Sequence, residues 1–176
     1  MPGGLAGRQE TSLAKGRQVC PKTVGHPIYE DGRSSHLVLV GSSAGGVKAL
    51  SEMVSTLPGD QPVPIVIAQH LDPDRESNLE GILSRCCPLT VRTVVDEDGL
   101  QAGVVFVVPA NRYVSITDSR IGLQEDGDGR PKPSVDLLMG SAAEVFGERL
   151  ITVVLTGTGS DGTEGTRVVK GAAARS

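Results

Sequence analysis

Leu37-Val38-Leu39-Val40-Gly41-Ser42-Ser43-Ala44-Gly45-Gly46-Val47-Lys48-Ala49-Leu50 reads as a strand, a glycine-rich turn and the start of a helix. Four consecutive aliphatic residues suit a strand covered on both faces. Beyond the turn, Val47, Leu50, Met53, Val54 and Leu57 recur on one face at helical spacing, and Pro58-Gly59 ends the helix. A second apolar strand, 63–68, follows and runs into Gln69-His70. Strand, helix and strand make a β-α-β unit, and units of this kind build a parallel sheet.

The rest of the chain extends that unit. Asp72-Pro73-Asp74 can start a helix through Leu79, Ile82 and Leu83, stopped by Pro88. Residues 90–95 alternate loosely, and Val104-Val105-Phe106-Val107-Val108 is another apolar run. Residues 113–116 and 120–123, separated by Thr117-Asp118-Ser119, read as an antiparallel hairpin grafted onto the sheet. Ser134 is placed to cap a helix to about Phe146, with Val135, Leu138, Ala142 and Val145 inward. Leu150-Ile151-Thr152-Val153-Val154-Leu155 then runs into Thr156-Gly157-Thr158-Gly159-Ser160-Asp161-Gly162. The expected fold is α/β: a doubly wound, mostly parallel sheet with helices on both faces, Rossmann-like in three layers, with a small antiparallel hairpin. Residues 1–34 lack a sustained period and read as a flexible tail or linker, and 35–176 as the folded domain.

Composition narrows the function. With aromatic residues at 2% and no Trp, the core must be built from Val, Ile, Leu and Ala. A net charge of −4 gives no footprint for nucleic acid. Three cysteines, Cys20, Cys86 and Cys87, include an adjacent pair and no C-x-x-C, so neither a disulfide framework nor a zinc site is indicated. Buried or incidental thiols in a reducing compartment are expected. No apolar run approaches the ~18 residues of a membrane span, and Met1-Pro2-Gly3-Gly4-Leu5 lacks a signal's apolar region. A cytoplasmic protein without membrane insertion is expected. Glu125-Asp126-Gly127-Asp128-Gly129-Arg130 does not complete a calcium loop. That stretch and Asp96-Glu97-Asp98-Gly99 read as solvated turns.

Candidate chemistry lies at the strand ends. Ligands of open parallel sheets bind beyond the carboxyl ends of the strands, so a serine, a histidine and an aspartate there can share one crevice. Gly41-Ser42-Ser43-Ala44-Gly45 fits G-x-S-x-G, the elbow that exposes a nucleophilic serine. Ser43 is the candidate nucleophile, and the Ala44 N–H a candidate oxyanion donor. A phosphate cradle and a purely structural turn remain open, although G-x-G-x-x-G and the lysine-bearing phosphate loop are absent. His70 is a candidate general base or a structural histidine. Asp161 can orient an imidazole or cap the final helix. The chain order Ser, His, Asp differs from that of α/β-hydrolases.

Several motifs, in order over residues 36–171, resemble the catalytic domain of chemotaxis protein-glutamate methylesterases, the CheB family. They are Val40-Gly41-Ser42-Ser43-Ala44-Gly45-Gly46, Ile67-Ala68-Gln69-His70-Leu71, the run from Asp98-Gly99 through Pro109, Pro133-Ser134-Val135-Asp136-Leu137-Leu138 with Ser141-Ala142-Ala143, and Leu155 through Gly162. The resemblance implies a Ser43–His70–Asp161 triad that hydrolyses γ-glutamyl methyl esters on cytoplasmic chemoreceptor helices. Methanol is released, no metal or organic cofactor is needed, and some members also deamidate glutamine. It further implies that Thr158, where the family usually carries Met, offers a backbone N–H to the oxyanion. Tyr113 stands where many members have His, which bears on substrate contacts. A receiver domain is expected in a separate or longer chain, or a methyltransferase module in a fused relative. The C-terminal part of the domain is expected to be missing, since the family continues through another strand and helix. Two alternatives follow: an inactive, truncated methylesterase-like binding module, and a nucleotide-binding domain.

Overall fold

A computed structural model describes residues 34–43, 45–70, 78–124, 133–156 and 162–173. In chain order its elements are β1 (Leu37–Ser42), α1 (Gly46–Ser55), β2 (Ile65–Gln69), α2 (Leu79–Leu83), β3 (Thr90–Thr93), β4 (Asp98–Gly99), β5 (Val104–Val107), β6 (Tyr113–Thr117), β7 (Arg120–Gln124), α3 (Val135–Phe146), β8 (Leu150–Val154) and α4 (Thr163–Ala173). A 3₁₀ turn, Gly147–Arg149, joins α3 to β8.

Alternation along the strands explains the layers. Leu37 and Leu39 of β1, Val66 and Ala68 of β2, and Val104 and Phe106 of β5 all point into one buried cluster. There they meet Val135, Leu138, Met139, Ala142 and Phe146 of α3, with Val169 and Ala172 of α4 packed alongside. Val40, Ile65, Ile67, Val105 and Val107 point the other way, onto Leu50 and Val54 of α1 and Leu79 and Leu83 of α2. The three central strands β1, β2 and β5 are therefore apolar on both faces, as a parallel sheet between two helical layers requires.

The sheet runs β3-β5-β2-β1-β8, with every pairing parallel. From β1 the chain steps one way to β2 and later returns to the other side as β8. That reversal makes the carboxyl end of β1 a switch point, where a crevice forms.

The antiparallel hairpin forms as expected, but it is not grafted onto the main sheet. With β4, β6 and β7 form a separate three-stranded sheet in the order β4-β7-β6. Asp98, expected in a solvated turn, is 8% exposed and belongs to β4. Arg92 Nη1 lies 2.8 Å from its Oδ1, and the guanidinium stands 4.7 Å over the Phe106 ring. The charge run looked solvated because its counter-ion comes from a neighbouring strand. Tyr113 is 1% exposed, a core residue of the small sheet. Cys86 is exposed and Cys87 half-buried, so burial holds only in part; desolvation pushes the Cys87 thiol above its usual range.

α2 begins at Leu79, while the expected start at Asp72-Pro73-Asp74 lies outside the described residues. So do residues 1–33 of the expected tail, Cys20 and the 125–130 loop. Among the described residues, no helix is long and apolar enough to cross a membrane.

Candidate active site

β1 and β2 deliver their ends side by side. Gly41 stands opposite Ala68 and Ser42 opposite Gln69, and the ladder closes with the His70 N–H donating to Ser42 O at 2.9 Å. Ser43 and His70 therefore leave the sheet as neighbours, although 26 residues separate Ser43 from Gln69. On the other flank of β1, Gly41 pairs with Val154, and the Leu155 N–H donates to Gly41 O at 3.0 Å. Thr156 is thereby carried to the serine turn.

The two serines of the turn are not equivalent. Ser42 is 3% exposed, and its hydroxyl shares a 3.1 Å hydrogen bond with Thr156 Oγ1. Ser43 is half-buried, and its N–H donates to the same Thr156 oxygen at 3.1 Å. Burial and an engaged hydroxyl make Ser42 part of the scaffold, which agrees with its variable place in G-x-S-x-G.

Glycines bring α1 close behind the turn. Gly45 precedes the helix at φ 76°, ψ −2° and makes no side-chain cap; a side chain disfavours that left-handed geometry. A Cβ on Gly46 would overlap Ser42 Oγ and stand 2.6 Å from Gln69 Oε1. The Gly46 N–H donates to Ser43 O at 2.9 Å. The amino end of α1, with its partial positive charge, thus abuts the serine turn.

Gln69 lies between the serine and histidine segments. It is 2% exposed, and its Nε2 donates to Ser43 O at 2.6 Å and to His70 O at 2.9 Å. Sequence reasoning assigned no role to Gln69 or Thr156. The available signal was a polar residue at the buried end of each apolar strand.

Of the sequence-predicted site residues, the structure brings Ser43 and His70 together at the sheet's carboxyl edge. Ala44, Thr158 and Asp161 lie outside the described residues. Past them, the carboxylate of Asp136, in the first turn of α3, accepts from the N–H groups of Gly162 at 2.9 Å and Gly165 at 2.6 Å. These amides at the start of α4 are thus satisfied by a residue from another helix.

Comparison with known proteins gives the family. The CheB methylesterase family profile matches residues 38–176. The chain belongs to the CheB methylesterase family. It is 38% identical over 137 residues to protein-glutamate methylesterase/protein-glutamine glutaminase 1 of Saccharophagus degradans, covering 76% of this chain and 38% of that protein. The protein-glutamate methylesterase/protein-glutamine glutaminase of Vibrio parahaemolyticus is 38% identical over 147 residues, 80% of this chain and 40% of the relative. The chain therefore spans about two fifths of the length of these curated relatives. The crystal structure of the Thermotoga maritima CheB methylesterase catalytic domain superposes with a TM-score of 0.72 at 32% identity, over 78% of this chain and 75% of that one. The CheB match includes the ends of β1, β2 and β8, which carry Ser43, His70 and Thr156.

Proposed function

We propose that this chain is a protein-glutamate methylesterase domain acting on methylated chemoreceptors in the cytoplasm. Its substrate is the γ-glutamyl methyl ester on a receptor's cytoplasmic helices. The observation that carries the reading is the adjacent emergence of Ser43 and His70 from β1 and β2, closed by the 2.9 Å bond from His70 N–H to Ser42 O. The names of the relatives supply the substrate class.

In this mechanism the Ser43 hydroxyl attacks the ester carbonyl while the His70 imidazole takes its proton. The Asp161 carboxylate orients the ring and stabilises its charged form. Backbone N–H groups of Ala44 and Thr158 hold the oxyanion. Collapse of the tetrahedral species expels methoxide, which leaves as methanol with the proton from His70. Water, deprotonated by the same imidazole, then attacks the acyl-enzyme, freeing the glutamate carboxylate and restoring Ser43. The same attack on the less reactive glutamine carboxamide would release ammonia, and the glutaminase in the relatives' names supports deamidation as a second reaction. No metal or organic cofactor enters these steps. Residues 35–176 belong to the catalytic domain, with 1–34 as a tail or linker, and a receiver or methyltransferase module in a separate or longer chain is a further partner.

The test is methanol release from methylated receptor by the wild type, Ser43→Ala and His70→Ala. Loss of the general base should lower turnover about 10²–10⁴-fold, and loss of the nucleophile at least as much. Variants that keep wild-type turnover would end the assignment.

A further inference from the structure

We infer that Gln69 is a positioning residue that sets the spacing between Ser43 and His70; this rests on the proposed roles of those two residues. The last backbone bond between β1 and β2 is His70 N–H to Ser42 O. Just beyond it, two carbonyls, Ser43 O and His70 O, must be held near each other. Two acceptors cannot bond one another, so bridging them takes a donor group. The Gln69 carboxamide supplies it, with one N–H to each carbonyl at 2.6 and 2.9 Å. Only the NH₂ end of an amide can donate twice, so these contacts also fix its orientation. At 2% exposure, water does not compete for them.

Neutral or acidic replacements of similar size do not meet the same demand. Glutamate presents a carboxylate to two carbonyls, asparagine is one methylene short, and leucine or methionine donates nothing. Space is limiting as well, because Oε1 stands 2.6 Å from where a Gly46 Cβ would lie. Without the clamp the turn keeps the Gly46 N–H to Ser43 O and His70 N–H to Ser42 O bonds, both at 2.9 Å, but loses the tie that reaches beyond them. A shift of about 1 Å between reacting groups costs about 10²-fold in rate.

The probe is a fluorophosphonate, which phosphonylates an activated serine with loss of fluoride. Its concentration dependence separates the affinity, Ki, from the rate of the bound step, kinact. Gln69→Met is expected to lower kinact at least about 10-fold, within the range that misplacement produces, with Ki within about twofold of wild type. Rates are taken on protein shown to be folded by thermal melting. A Gln69→Met enzyme with wild-type kinact overturns the inference. Gln69→Glu gives a second reading if Gln69→Met folds poorly. Burial favours the neutral acid, which donates one hydrogen, so its labelling relative to wild type should rise as pH falls from about 8 to 6. A flat ratio overturns the inference too. The two layers stay separable. If Ser43→Ala labels as fast as wild type, the proposed nucleophile fails and takes the inference with it. If labelling needs Ser43 and His70 but ignores Gln69, only the inference fails.

Discussion

Gly46 stands where two buried polar side chains converge, and that limits what it can become. Alanine is the better helix former by about 0.8–1.0 kcal/mol, so helix propensity alone favours Gly46→Ala. Its Cβ, however, would overlap Ser42 Oγ and lie 3.0 Å from Ser42 Cβ. Overpacking of this kind costs about 1–3 kcal/mol, and the steric term should win. Gly140, inside α3, has nothing within 4 Å of an added Cβ, so Gly140→Ala should gain up to about 1 kcal/mol. Urea midpoints should therefore move in opposite directions for the two substitutions; equal shifts would refute the packing around Gly46. That Ser43 and His70 stand at strand ends was legible in sequence, because each closely follows an aliphatic run. The role of Gln69 was not, since it depends on a carbonyl from another strand.

Asp136 acts on an element other than its own. Its carboxylate takes the Gly162 and Gly165 amides, so α4 is capped from α3. Gly165 also packs on α3, where a Cβ would stand 2.7 Å from Met139 Cβ. Asp136→Ala should cost about 0.5–2 kcal/mol, the range for a lost cap. Amide exchange should quicken over Thr163–Ala173 while β2 stays protected. Uniform acceleration, or none, would contradict the assignment. Caps within one helix are visible in sequence, and Ser134 was read correctly: its side chain accepts from the Leu137 N–H at 3.4 Å. A cap reaching across 26 residues has no local pattern. β4, two residues long, is hidden for the same reason. Its identity comes from pairing with β7, and no two-residue stretch carries a period.

Across the whole molecule, unbroken aliphatic runs predicted two buried faces, because Leu37 and Leu39 must part from Val38 and Val40 in any parallel sheet. Strand order was not legible, since β5 inserts between β2 and β3 by pairing that no local pattern encodes. The join between the two sheets was equally hidden: Val114, Ile116 and Ile121 share a buried cluster with Leu39, Val66 and Phe106, and Arg92 adds a polar tie beside it. From β3 its guanidinium reaches Asp98 of β4, Nη1 lying 2.8 Å from Oδ1 and 2.9 Å from Oδ2. It also covers Phe106 of β5. Arg92→Ala leaves the Asp98 carboxylate with a 3.4 Å contact from the Val95 N–H. A surface pair would be worth about 0–1 kcal/mol, and breaking a fully buried one about 3–5 kcal/mol. Asp98 is 8% exposed but the Arg92 side chain 33%, so the expected loss falls between, about 1–3 kcal/mol. Both short contacts use one nitrogen, so a lysine can reproduce the charge but not the cover over the ring. Arg92→Lys should therefore lose only the stacking share, about 0.5–1 kcal/mol. Chemical denaturation of the two variants decides it: if lysine destabilises as much as alanine, the Arg92–Asp98 charge adds nothing to the apolar packing that joins the small sheet to the large one.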